Sequence, residues 1–227
     1  MHNDANDLLN KEGLKFFGKV NASISHELKN ILAIISETAG LLSDLTELAR
    51  HGKQIELSML ENCSSNIAEE IQRGFRTIKQ MNRFAHSVDD FIKETDLLET
   101  LDLAIQLTGY LSFAITVQTD FQTKPEKPVL TCPFLLQNLL YQVLCFTYAA
   151  VGHNGHIHIR CSSQDNTGIY LVFSSTFEQA FSSFPTQGIQ HTADVLGAKL
   201  NTDSKFAELD VWIPYTNPKF MTKEHKR

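Results

Sequence analysis

Glycine and proline are scarce, at 11 and 6 of 227 residues, which excludes collagen-like and Pro/Gly-rich disordered chains. Positive charge is not in excess. Lys plus Arg total 20 against 26 for Asp plus Glu, a net charge of −6. A mildly acidic chain lacks the electrostatic footprint that grips phosphate backbones, so no nucleic-acid partner is expected. No apolar run reaches the roughly 18 residues that a membrane span needs, so no span is expected. The N-terminal MHNDANDLLNKEG has no apolar signal core, and a cytoplasmic location follows as the expectation. Cysteine is also sparse: Cys63, Cys132, Cys145 and Cys161 form no CxxC pair. That spacing excludes a disulfide framework and a zinc site and suits four thiols in a reducing compartment. What remains is an ordinary globular balance, 42% hydrophobic and 20% charged, at a length that suits one large domain or two small ones.

Two halves differ in texture. From about Asn6 to Thr95 there is no proline. Apolar residues recur at Phe17, Val20, Ile24, Leu28, Ile31, Ile35, Thr38, Leu42 and Leu45, alternating steps of three and four. A second series runs Leu60, Cys63, Ile67, Ile71, Phe75, Ile78, Met81, Ala85, Val88 and Ile92. The polar Arg50-His51-Gly52-Lys53 separates them, so residues 1–95 are predicted to form a long antiparallel helical hairpin. Two helices cannot enclose both sides of such seams, and pairing two hairpins into a four-helix bundle is the expected remedy. A homodimer is therefore predicted; the alternative is a hairpin that packs on its own second half.

Residues 96–217 read as a mixed α/β unit. Leu97–Ser112 is predicted helical, Phe113–Phe121 a strand, Lys124–Pro128 a loop and Val129–Thr131 a short strand. Pro133 can start a helix that runs to about Val151. Gly155–Ser163 and Gly168–Ser175 alternate like strands around the hairpin turn Asp165-Asn166-Thr167-Gly168. Gln187–Leu196 is a helix stopped by Gly197, and Lys199–Thr202 and Ala207–Ile213 close as strands. The order implies an α+β chain whose second part is a two-layer sandwich, a mixed sheet with helices on one face. Residues 218–227 form a polar tail.

The chemistry-bearing stretch is Ser25-His26-Glu27-Leu28-Lys29-Asn30, in the middle of the first predicted helix. His26 falls about 200° around the helix from Ile24, off the apolar seam and toward solvent. An exposed imidazole titrates near neutrality, at about 6.5, and is a usable nucleophile. Glu27 beside it could hold the proton of one ring nitrogen and leave the other free to attack. By spacing alone, a His-Glu pair on a helix is ordinary surface decoration.

In context, Val20-Asn21-Ala22-Ser23-Ile24-Ser25-His26-Glu27-Leu28-Lys29-Asn30-Ile31-Leu32 resembles the phospho-acceptor box of sensor histidine kinases. The hairpin followed by an α/β unit resembles the dimerisation and ATP-binding domains of that family, over nearly the whole chain. The resemblance implies that His26 is the phosphorylated histidine and Glu27 its acid/base partner. It implies that Asn30 stands where a polar residue orients a water for dephosphorylating the receiver. The proline that often follows is Ile31 here, so the helix is expected to run on without a kink.

The second half departs from the family. Its metal-binding asparagine is matched by Phe146 in Gln142–Ala150, and a phenyl ring cannot ligate Mg²⁺. The adenine-reading Asp-x-Gly-x-Gly is replaced by Ser174-Ser175-Thr176-Phe177. The Gly-rich turn is reduced to Thr186-Gln187-Gly188-Ile189-Gln190. Positioning a γ-phosphate then lacks its electrostatic support. The expected protein resembles a dimeric histidine phosphotransferase that binds no cofactor itself. It would move phosphoryl groups through His26 to and from aspartates of response-regulator receiver domains, which carry the Mg²⁺. Receivers are expected to dock on Lys29, Ala33 and Glu37. An active kinase with diverged boxes and a non-catalytic kinase-binding scaffold are the alternatives. His153, His156 and His158 are the polar face of a strand rather than a metal site. Phe173, Phe177, Phe181 and Phe184 are core packing or a lid over the vacated pocket.

Overall fold

The computed structural model describes residues 2–112, 115–121, 127–165, 167–176, 181–203 and 207–217, with backbone alone for 2–10 and 163–165. The predicted strand start at 113–114, the loop at 124–126, Asn166, Phe177 and the tail 218–227 lie outside the described residues. The chain packs as two compact units. One is Phe17–Arg83; the other joins the chain up to Phe16 with Phe84 and everything after it.

The helical unit is an antiparallel hairpin of α1 (His2–Arg50) and α2 (Leu57–Ala85). No proline interrupts α1, and the helix continues through Ile31 as predicted. Gly52 ends it at φ 77°, where a side chain would be strained. The Lys53 N–H donates to the Leu48 carbonyl at 3.1 Å and the Gly52 N–H to the Ala49 carbonyl at 3.0 Å, which caps orphan carbonyls in a Schellman motif. The helices then run back on each other. A Cβ on Gly74 would sit 3.7 Å from the Ile31 side chain, and Glu27 meets Arg73. Val20, Ile24, Ile31 and Leu45 of α1 and Cys63 of α2 are buried. Other members of both apolar series stay wet, with Phe75 63% exposed and Leu60, Ile71 and Ile78 about two-fifths exposed; Leu32, outside the series, is 64% exposed.

The second apolar series overstates α2. The helix stops at Ala85, a 3₁₀ turn covers His86–Val88, and β1 (Lys93–Thr95) pairs antiparallel with β3 (Val129–Thr131). Val88 and Ile92 keep helical spacing, but Asp89 takes His86 Nδ1 at 2.7 Å, a local side-chain bond of the kind that competes with helix continuation.

In the α/β unit, α3 (Leu97–Leu107) is shorter than predicted, closing at Thr108, whose hydroxyl donates to the Ala104 carbonyl. β2 is Thr116–Asp120, α4 Pro133–Val151, β4 His156–Asp165, β5 Gly168–Ser175, α5 Gln187–Leu196, β6 Lys199–Asp203 and β7 Glu208–Pro214. The main sheet has the order β2-β4-β5-β7-β6, parallel only between β2 and β4. Pro133 at the first turn and Gly152 at φ 70° bracket α4. Gly197 in the left-handed region stops α5. One face of the sheet (Ile157, Ile159, Ile169, Leu171, Phe173, Leu209, Val211, Ile213) packs with buried residues of α3, α4 and α5 into one core. Each such side chain contributes roughly 1.5–3 kcal/mol. Phe173, Phe181 and Phe184 are in that core, so this stripe is packing. By length and composition α4 could cross a membrane, but most of it is buried as the central helix of this unit.

The other sheet face is polar. His156 is exposed and His158 half-buried, and among the described residues no three His, Cys, Asp or Glu are grouped to hold a metal. On that face burial, then the charge of Glu208, pushes the Asp210 carboxyl above the usual carboxylate range, partly offset by Arg160.

The start of α1 belongs to this unit through an aromatic cluster. Phe16 lies 5.3 Å from Phe84 in an edge-to-face pair, 5.4 Å from Phe134 and 5.0 Å from Tyr141, between ring centroids. The Tyr141 hydroxyl meets that of Tyr110 at 3.0 Å. Burial, helped by that bond, pushes the Tyr141 pKa up.

Candidate functional site

Helical geometry sorts the acceptor box onto two faces. At about 100° per residue, Asn30 stands about 40° from His26, whereas Glu27 stands about 100° away on the side of Ile24 and Ile31. The structure follows that geometry. His26 and Asn30 are exposed, and the Asn30 Nδ2 lies 3.3 Å from His26 Nδ1. Glu27 is half-buried and turned toward α2, where its Oε1 accepts from Arg73 Nε at 2.7 Å and Nη2 at 2.6 Å. Arg73 also donates through Nη1 to both carboxylate oxygens of Glu70 at 3.3 Å. Burial alone would lower the Arg73 pKa. The hydrogen bond and charge of Glu27, joined by Glu70, outweigh it, and the guanidinium is raised further into its charged range. Residues at i and i+1 on a helix do not face each other, and among the described residues Glu27 makes no hydrogen bond with His26.

Lys29, Ala33 and Glu37 are all exposed and, at four-residue spacing, continue the His26 face toward the hairpin turn. His26, Asn30, Lys29, Ala33 and Glu37 are thus one solvent-facing stripe. Arg73 and Glu70 were not legible in the acceptor box, being far along the chain on α2. Folding the two apolar series about Gly52 sets Glu27 nearest Thr77, one helical turn from Arg73, so the pair emerges only with the register of the two helices.

Side chains in the region matched to the family's nucleotide boxes contact one another and their neighbours. The ring of Phe146 packs 5.2 Å from that of Phe184. The Gln142 amide donates to Asn138 Oδ1 at 3.0 Å and Thr192 Oγ1 at 3.2 Å, and Thr192 donates to the Gly188 carbonyl at 3.0 Å. A Cβ on Gly188 would sit 3.3 Å from Gln142 Oε1.

No family model matches the chain, and no curated protein does. Among solved structures, the catalytic domain of histidine kinase ThkA is similar at 18% identity and a TM-score of 0.45, covering 55% of this chain and 97% of that one. Acinetobacter baumannii histidine kinase AdeS is similar at 10% identity and a TM-score of 0.44, covering 85% of this chain and 98% of that one. Histidine kinase ThkA in complex with the response regulator TrrA is similar at 16% identity and a TM-score of 0.42, covering 96% of this chain and 65% of that one.

Proposed function

We propose that this chain is a two-component phosphorelay protein. His26 takes a phosphoryl group from the phospho-aspartate of one response-regulator receiver domain and gives it to the aspartate of another, without ATP. The observation that carries this reading is the exposed His26 imidazole, set within its acceptor box on an uninterrupted helix with Asn30 at its Nδ1. Transfer balances simply. The Nε2 lone pair forms the N–P bond while the acyl-phosphate P–O bond breaks and its electron pair leaves with the aspartate carboxylate. When Nδ1 carries the ring proton, no proton has to move. The receiver supplies Mg²⁺ and docks on the stripe of Lys29, Ala33 and Glu37. The packing of Phe146 on Phe184 supports a reading in which the α/β unit does not hold Mg-ATP. None of Cys63, Cys132, Cys145 and Cys161 is in a disulfide, which suits a cytoplasmic protein.

The reading includes a homodimer. Leu60, Ile71, Phe75 and Ile78 form a wet apolar stripe on α2, with Leu32 also exposed on α1; such a stripe marks an interaction surface, and a second hairpin would bury it. Light scattering should give a mass near twice 25.6 kDa; a mass near that of one chain removes the dimer.

The test of the relay uses a receiver domain carrying a radiolabelled phosphoryl group. Label should move to this chain and on to a second receiver, while calorimetry with millimolar Mg-ATP gives no binding heat. Micromolar ATP binding with label incorporated from ATP would make the chain an active kinase instead. No label from either source would leave a scaffold.

A further inference from the structure

We propose that the α/β unit binds a small aromatic monocarboxylate in a cavity at the C-terminal end of α5. The site stands apart from the phosphorelay reading. None of its residues belongs to the acceptor box, and Gly197 at its edge lies roughly 13 Å along the α5 axis from Gly188 in the region matched to the nucleotide boxes.

The cavity holds about 400 Å³, the size of a small-ligand site, and its walls include Lys127, Gly197, Trp212, Pro214, Tyr215 and Asn217. The frame is fixed by local bonds. The Leu130 N–H donates to the Tyr215 carbonyl at 2.8 Å and the Tyr215 N–H to the Thr167 carbonyl at 3.0 Å, so the chain leaving β7 is tied on both sides. Asn217 is 3% exposed, and its Nδ2 donates to the Val195 carbonyl at 3.0 Å. Gly197, at φ 68°, makes room for it, because a Cβ there would sit 3.2 Å from the Asn217 amide. Gly168 does the same for Trp212, since a Cβ on it would sit 2.5 Å from the indole.

The walls select the ligand. Trp212, Pro214 and Tyr215 are an apolar surface that suits a ring, which pairs with aromatic side chains edge-on or offset. Two ammonium groups stand over those rings. Lys127 Nζ lies 4.5 Å from the Tyr215 centroid and Lys199 Nζ 4.6 Å from that of Trp212. Neither lysine has an ion pair among the described residues, and no carboxylate is among the described residues of the wall. In a chain of net charge −6, that is a local positive site. A ligand carboxylate would complete Lys127 with a charge-assisted hydrogen bond. A cationic ligand would meet both ammonium groups. A phosphate-rich ligand is disfavoured, because α5 turns its carbonyl end to this cavity.

The test titrates the full chain with benzoate and follows the indole N–H of Trp212, the single tryptophan, by ¹⁵N–¹H correlation. The signal should move and saturate with a Kd of about 1 mM or below, the scale for a ligand of this size. Benzamide keeps the ring without the charge, and acetate keeps the charge without the ring. Each should bind at least about tenfold more weakly. Lys127 is exposed, so Lys127→Gln leaves the fold intact. It should weaken benzoate by about tenfold and leave benzamide unchanged. No saturation by about 10 mM benzoate overturns the proposal. Equal affinity for benzamide or acetate, unaltered benzoate binding in Lys127→Gln, or binding of choline in place of benzoate does so too. A chain that binds benzoate in this way but takes no label from a phosphorylated receiver keeps this site and loses the relay.

Discussion

His26→Gln is expected to abolish phosphoryl transfer, lowering label uptake from a phosphorylated receiver by at least about a thousandfold, the scale on which loss of a covalent nucleophile acts. Glutamine is the stringent choice. It keeps a polar, helix-compatible side chain at an exposed position, so the fold has no reason to change. It lacks only the ring nitrogen whose lone pair makes the N–P bond. Because His26 is exposed and, among the described residues, its one side-chain hydrogen bond is to Asn30, thermal stability should stay within about 0.5 kcal/mol of wild type. The paired readings decide between site and scaffold. Uptake near the wild-type rate in a folded His26→Gln chain would move the phosphoryl acceptor elsewhere.

Phe84→Ala should have the largest effect on stability, about 3–5 kcal/mol. Phe84 is 1% exposed, edge-on to Phe16 at 5.3 Å and tilted 6.4 Å from Phe134. Truncation removes the ring's burial, leaves a cavity and forfeits the aromatic pair, itself worth about 0.5–1.5 kcal/mol. Against a domain stability of about 5–15 kcal/mol, that is a large fraction. The single tryptophan, Trp212, lies on β7 and reports on this unit alone. Urea unfolding followed by its fluorescence should shift to lower denaturant by about 1–2 M. Phe84→Leu, which refills most of the volume, should lose well under half as much. A midpoint within about 0.2 M of wild type for Phe84→Ala would show that the cluster does not stabilise the α/β unit.

Local chemistry made some of this structure legible in the sequence. Pro133 and Gly152 bracket α4, Gly197 stops α5, and Gly52 turns the hairpin, because each backbone position admits few residue types. The strand β1 was hidden. Its partner β3 is some 36 residues on, and apolar spacing across Ala85, Val88 and Ile92 imitates a continued helix. The site divides in the same way. His26 and Asn30 share a helix face that spacing predicts. The engagement of Glu27 depends on Arg73, 46 residues away, and becomes visible only when the register of the two helices is fixed.

The wet stripe along the hairpin carries a consequence for how the chain melts. If two hairpins bury Leu60, Ile71, Phe75 and Ile78 together, part of the folding free energy of Phe17–Arg83 is association free energy and scales with the logarithm of protomer concentration. The α/β unit encloses its own core and has no such dependence. Dilution would then loosen the histidine's support while the sandwich stays folded, so the number of copies in the cell would help decide how many acceptors are intact.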